Sequence, residues 1–135
     1  MNKYLAAYAG TAVVMIALDM LWLGVIAKAL YQQGIGHLMA DKPNVPAAVL
    51  FYVLYALGLV IFAVAAQPGG SSWGRTVTVA ALFGFFAYAT YDLTNLATLR
   101  EWPLRLSLID LAWGTLVSAV AAAAGKVAMD WAGTA

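Results

Sequence analysis

The sequence predicts an all-α integral membrane protein, a four-helix transmembrane bundle running up-down-up-down. Three observations carry that reading. Hydrophobic residues make up 64% of the 135 positions and charged ones 10%, with a mean hydropathy of +0.85, whereas an average soluble chain is about a quarter charged. A soluble fold of this size would lack the polar groups to cover its surface. Four apolar runs reach the ~20 residues that a helix needs to cross the hydrocarbon. The connections between them are short enough to make consecutive helices antiparallel. A barrel of alternating strands is excluded, because the runs are continuously apolar and rich in Ala and Leu. Backbone groups in lipid must then pair within each run, as helix.

The first run covers about 4–30. It is too long for the apolar part of a signal peptide and carries no convincing cleavage site, so it is expected as a retained span. The second covers about 47–66, the third 74–99 and the fourth 103–128, where Pro103 suits the first position of a helix. All four belong to one transmembrane domain, 1–135, since the length leaves room for no second domain. Between the first two runs, 31–46 reads as a connection broken by Gly34, Gly36, Pro43 and Pro46. The stretch 67–72 reads as a tight turn, and 100–102 as a very short loop.

Side A denotes the membrane face expected to hold both ends of the chain, and side B the face of the first and third connections. Tyr4, Trp73 and Trp131 mark side A as interfacial aromatics, and Tyr31 and Trp102 mark side B. Lys28, Lys42, Arg100 and Arg105 near side B outnumber Lys3, Arg75 and Lys126 near side A by one charge. The positive-inside rule thus tilts toward a cytoplasmic side B and periplasmic termini.

A net charge of +1 with no basic cluster gives no footing for nucleic acid. Without cysteine there is no disulfide, thiolate nucleophile or cysteine metal site. No phosphate loop, nucleophile elbow or zinc motif is present, no cofactor is implied, and no metal site is expected. His37 reads as a surface loop histidine and Arg100-Glu101 as a solvated pair.

Three carboxylates stand out against this background. Asp19, Asp92 and Asp110 each lie inside an apolar run, where a carboxylate costs about 2.5–3.5 kcal/mol on insertion scales. At 1.5 Å of helical rise per residue, Asp92 and Asp110 lie about 10 Å from side B and Asp19 about 16 Å. Tyr52 and Tyr55 of the second run reach a similar depth. Tyr88, Tyr91, Asp92 and Asn95 share a stripe of the third run at intervals of three or four; Ser107, Asp110, Gly114 and Ser118 share one of the fourth. Asp19 and Trp22 share a face of the first, and Asp110-x-x-Trp113 repeats the Asp-x-x-Trp pattern. Turned inward, the stripes enclose a polar pocket open toward side B, with Arg105 near enough in sequence to line its mouth or pair with a carboxylate. Trp22 and Trp113 are pocket walls or plain packing. The bland alternative for each Asp is an interhelical hydrogen bond, worth about 0.6 kcal/mol on average. Three like charges cannot all stay ionised in one small dry site without a proton, a cation, water or Arg105 to offset them.

The stretch 90–99, Thr-Tyr-Asp-Leu-Thr-Asn-Leu-Ala-Thr-Leu, then Trp102-Pro103, Ile109-Asp-Leu-Ala-Trp-Gly114 and Asp19-x-x-Trp22, resembles the bacterial membrane-protein family catalogued as domain of unknown function 2177. The resemblance spans nearly the whole chain and implies a small bacterial inner-membrane protein. It carries no catalytic roles onto these residues.

The reading that leads is a homo-oligomeric bundle that binds, and in its stronger form transports, a small polar or cationic molecule or protons. Its expected ligand or proton site comprises Asp19, Asp92, Asp110, Asn95, Tyr91, Tyr88, Trp22, Trp113, Tyr52, Tyr55, Ser107 and Arg105. A membrane enzyme using acid and base carboxylates on a lipid or isoprenoid, and an accessory subunit of a larger membrane complex, are the alternatives left open.

Overall fold

Asn2 starts the first helix by accepting a hydrogen bond from the Tyr4 N–H at 2.7 Å, which satisfies one of the donors a helix start leaves free. Helix α1 (Lys3–Leu21) passes into a π-helical turn, Trp22–Ile26, closed by the Ala27 N–H on the Trp22 carbonyl at 2.7 Å. Ala27, at φ −105° and ψ 7°, breaks the run, and α2 (Lys28–Ile35) continues at a new angle before a 3-10 turn, Gly36–Leu38. Helix α2 occupies the beginning of the stretch expected as a connection from residue 31. These features belong to a computed structural model that describes residues 2–66 and 73–134; the expected tight turn at 67–72 lies outside the described residues.

Asn44 caps α3 (Val45–Leu59) through the Ala47 N–H at 3.1 Å, with Pro46 in the first turn where its missing N–H costs nothing. A second π-helical turn, Val60–Val64, ends that span. Helices α4 (Trp73–Thr98) and α5 (Leu104–Thr134) follow, joined by a reversal in which Glu101 adopts φ 58°, a left-handed conformation costing a non-glycine residue about 1–2 kcal/mol. Among the described residues there is no strand, and four helical segments are long and apolar enough to cross a membrane: Lys3–Ile26, Val45–Val64, Trp73–Thr98 and Leu104–Gly133. The all-α membrane bundle expected from the sequence is the fold observed.

Helix α5 runs between α1 and α4 and packs along both. Small residues permit the approach. A Cβ added at Gly84 would overlap the Gly114 carbonyl and the Ser118 side chain, and one added at Gly114 would overlap the Tyr88 ring. Toward side A, Met15, Leu59, Val64, Val117 and Ala121 fill the interior without exposure beyond 1%. Toward side B the packing opens. Helix α3 leans on α1, and its π turn makes the more extensive approach to α4 and α5. The remaining gap is bridged by the aromatic contacts of Tyr55 with Phe83 and Tyr88. A small cluster of Ile35, Trp102 and Leu106, with Leu30, Tyr31 and Leu96 against it, fastens α2 to the α4–α5 reversal.

Candidate functional site

The gap left by α3 is a cavity of about 400 Å³ in the side-B half of the bundle, within the size range of small-molecule sites. Helix α1 and its π turn supply Asp19, Trp22 and Leu23; α2 supplies Tyr31; α3 supplies Phe51, Tyr52 and Tyr55. Ala87, Tyr88 and Tyr91 come from α4, and Asp110 and Trp113 from α5.

Two carboxyls face this space. Asp19, 4% exposed, accepts hydrogen bonds from the Trp113 Nε1–H at 2.8 Å and the Tyr52 hydroxyl at 2.7 Å. Asp110, 6% exposed, accepts one from the Tyr31 hydroxyl at 2.5 Å, and the Tyr31 oxygen in turn accepts from the Trp22 Nε1–H at 3.3 Å. The two indoles stack on each other, ring centroids 4.4 Å apart, each N–H serving a different carboxyl's hydrogen bonds. The Asp-x-x-Trp spacing explains the pattern. A three-residue interval places each pair on one helix face, and α1 and α5 run antiparallel, so each tryptophan lies level with the other helix's aspartate. Trp113 reaches Asp19 directly; Trp22 reaches Asp110 through Tyr31.

Asp92 does not line the cavity. It is 1% exposed and lies level with Asp110, because the antiparallel register that sets Gly84 on Ser118 and Tyr88 on Gly114 continues one turn farther to Asp92 and Asp110. Two ionised carboxylates are both acceptors, and accordingly neither Asp92 oxygen has a donor among the described residues. The helical wheel accounts for the displacement: Asp92 is about 100° around α4 from Tyr91, which turns it from the cavity toward α5.

Of the remaining expected residues, Tyr52, Tyr55, Tyr88, Tyr91, Trp22 and Trp113 line the cavity, whereas three do not. Asn95 is half-buried, one turn farther toward side B than Tyr91. Ser107 is buried, but its hydroxyl accepts from the Trp102 Nε1–H at 2.9 Å and donates to the Pro103 carbonyl at 3.1 Å, which makes it part of the helix start. Arg105 is exposed; five residues before Asp110, it points about 140° away around α5. Tyr31 was absent from the expected site, as were Leu23, Phe51 and Ala87. The sequence marks Tyr31 as an interfacial aromatic, and no spacing rule places it beside Trp22. Burial, and then the Asp110 charge beside it, push the Tyr31 hydroxyl above the usual tyrosine value, so it remains a hydrogen-bond donor at neutral pH.

Among the described residues, no Lys, Arg or His lines the cavity, and no group of three or more His, Cys, Asp and Glu could hold a metal ion. What the arrangement presents is two carboxyls and a stacked indole pair in an aromatic wall. A family model described as a predicted membrane protein, DUF2177, matches residues 4–127. No curated protein and no solved structure matches the chain.

Proposed function

Because the chain belongs to the DUF2177 family of predicted membrane proteins, a description that names no reaction, we propose from the geometry that it binds a small organic cation between Asp19 and Asp110. The observation that carries this is a pair of carboxyls sharing one aromatic cavity with no basic side chain among its lining residues. Negative charge held in low dielectric calls for a positive partner. Aromatic faces attract cations as well, by about 0.5–1 kcal/mol when exposed and about 2 kcal/mol when desolvated. An inorganic cation would instead want a shell of oxygen ligands, and this wall is mostly carbon.

The rim favours a ligand with an apolar part. Leu23, Phe51 and Tyr91 line the cavity and are also exposed on the outside of the bundle, where hydrocarbon would surround them. Toward side A the packed core closes the space, so passage across the membrane would require a second arrangement of the helices. Binding is therefore the function proposed, with transport left to a conformation other than this one.

Calorimetric titration of tetraethylammonium into the detergent-solubilised protein tests the reading. Saturable binding is expected, with Asp19→Asn and Asp110→Asn each weakening it about tenfold or more, which is about 1.4 kcal/mol per tenfold. No binding by the wild type, or affinity unchanged from the wild type in both variants, would refute it.

A further inference from the structure

Asp92 is the buried carboxyl that the cavity does not use. It sits 1% exposed, opposite Asp110 in the α4–α5 register set by Gly84 on Ser118 and Tyr88 on Gly114, with no donor for either oxygen. Unpaired acceptors at that depth are costly, and two facing carboxylates repel. A single proton between them removes both penalties, because the protonated carboxyl becomes a donor to the other. Asp110 alone of the two also reaches the cavity, where Tyr31 holds its Oδ1.

We propose that Asp92 and Asp110 jointly hold one proton, and that a cation entering the cavity beside Asp110 expels it. The second half rests on the cation reading above; the first half does not. The exchange balances: the O–H bond of the shared acid breaks, its electron pair stays on the carboxylate, and the proton passes to water at the cavity mouth. One positive charge enters and one leaves, so the buried charge is unchanged. The arriving cation drives the step by favouring the fully ionised pair, as an opposite charge nearby does.

The groups facing the pair allow little else to take the role. Tyr31 faces it from α2, Asp19 from α1 across the cavity, Tyr52 and Tyr55 from α3, and Tyr88 and Tyr91 from α4. Asp19 already accepts two hydrogen bonds, so both of its oxygens have donors. Asp92, with none, is where a proton is needed.

Infrared difference spectroscopy of the full chain tests both halves. The unliganded wild type at neutral pH should show a protonated-carboxyl C=O band that shifts in deuterium oxide, persists in Asp19→Asn and vanishes in Asp92→Asn. Adding tetraethylammonium should erase the band and release about one proton per bound cation into weakly buffered medium. Wild-type affinity should therefore rise with pH, a dependence that Asp92→Asn loses. A wild type without the band, or a band indifferent to Asp92→Asn, overturns the shared proton. Cation binding that leaves the band and the solution pH unchanged overturns the exchange. A wild type that shows the band but binds no cation overturns the exchange together with the cation reading, and leaves the shared proton standing.

Discussion

Trp22 and Trp113 stack with 3° between their planes, and each indole N–H is committed to the hydrogen-bond network of the opposite helix. Trp113 donates to Asp19 of α1, and Trp22 donates to the Tyr31 hydroxyl that in turn holds Asp110 of α5. The stack therefore fixes the positions of both carboxyls at once, and its two halves differ in the charge of their acceptors.

That difference is measurable. Trp113→Phe keeps an aromatic ring in the stack but leaves Asp19 with Tyr52 as its remaining donor. The expected loss is about 1–2 kcal/mol, at the upper end for hydrogen bonds between helices in membranes, because the acceptor is a buried carboxyl. Trp22→Phe removes a longer bond to a hydroxyl and should cost less. Thermal unfolding of both variants in the same detergent checks the order; equal losses would contradict it.

Much of this was legible in the sequence, for reasons that also mark where legibility ends. The spans follow from apolar run length, and the depth of Asp19, Asp110, Tyr52, Tyr55, Tyr88 and Tyr91 follows from helical rise. Azimuth is coarser. A stripe defined by steps of three and four spreads widely around a helix, so it admitted Asp92 and Asn95 beside Tyr88 and Tyr91 although the cavity faces only the tyrosines. Tyr31 was not accessible to such reasoning at all. Nine residues after Trp22, it would stand about 180° away on one continuous helix. The π turn and the break at Ala27 re-aim α2 and bring the two side chains together. Gly24 within that turn gave no warning of it, and π turns are known more from functional sites than from sequence.

Tyr31 carries a pH prediction. Burial, and after it the charge of Asp110, raise its hydroxyl above the ordinary 10.0. A group that keeps its proton longer in the folded chain contributes stability that is whole below the unfolded value and drains away as pH climbs past it toward the folded value. Above about pH 10 the wild type should therefore lose stability with rising pH more steeply than Tyr31→Phe does. Chemical denaturation at a series of alkaline pH values checks it; parallel curves would contradict it.

Gly114 seats the ring of Tyr88, a cavity wall, directly on the α5 backbone. Gly114→Ala places a methyl group where that ring lies. The expected cost is about 1–3 kcal/mol of overpacking, with Tyr88 pushed toward the cavity and cation affinity reduced. Gly36→Ala meets nothing nearby and should leave affinity unchanged. Unfolding midpoints and tetraethylammonium titrations on the two variants separate the cases.

His37 and Glu101 join the α2–α3 and α4–α5 connections at 3.5 Å, with their side chains 45% and 79% exposed. Exposed pairs of this kind contribute less than about 1 kcal/mol. His37→Ala should change neither the unfolding midpoint by more than that nor the affinity for a cation. A large effect on affinity would mean that the side-B connections, and not the cavity wall alone, govern access.

Where a cation sits in the bundle is the most direct test of binding between Asp19 and Asp110. Crystals of the protein grown in lipid and soaked with tetraethylarsonium, whose arsenic scatters anomalously, would locate it without reference to activity. The predicted result is one anomalous peak inside the cavity between the carboxyls of Asp19 and Asp110, lost in Asp110→Asn. An empty cavity at saturating cation, or a peak confined to the lipid-facing surface, would contradict it.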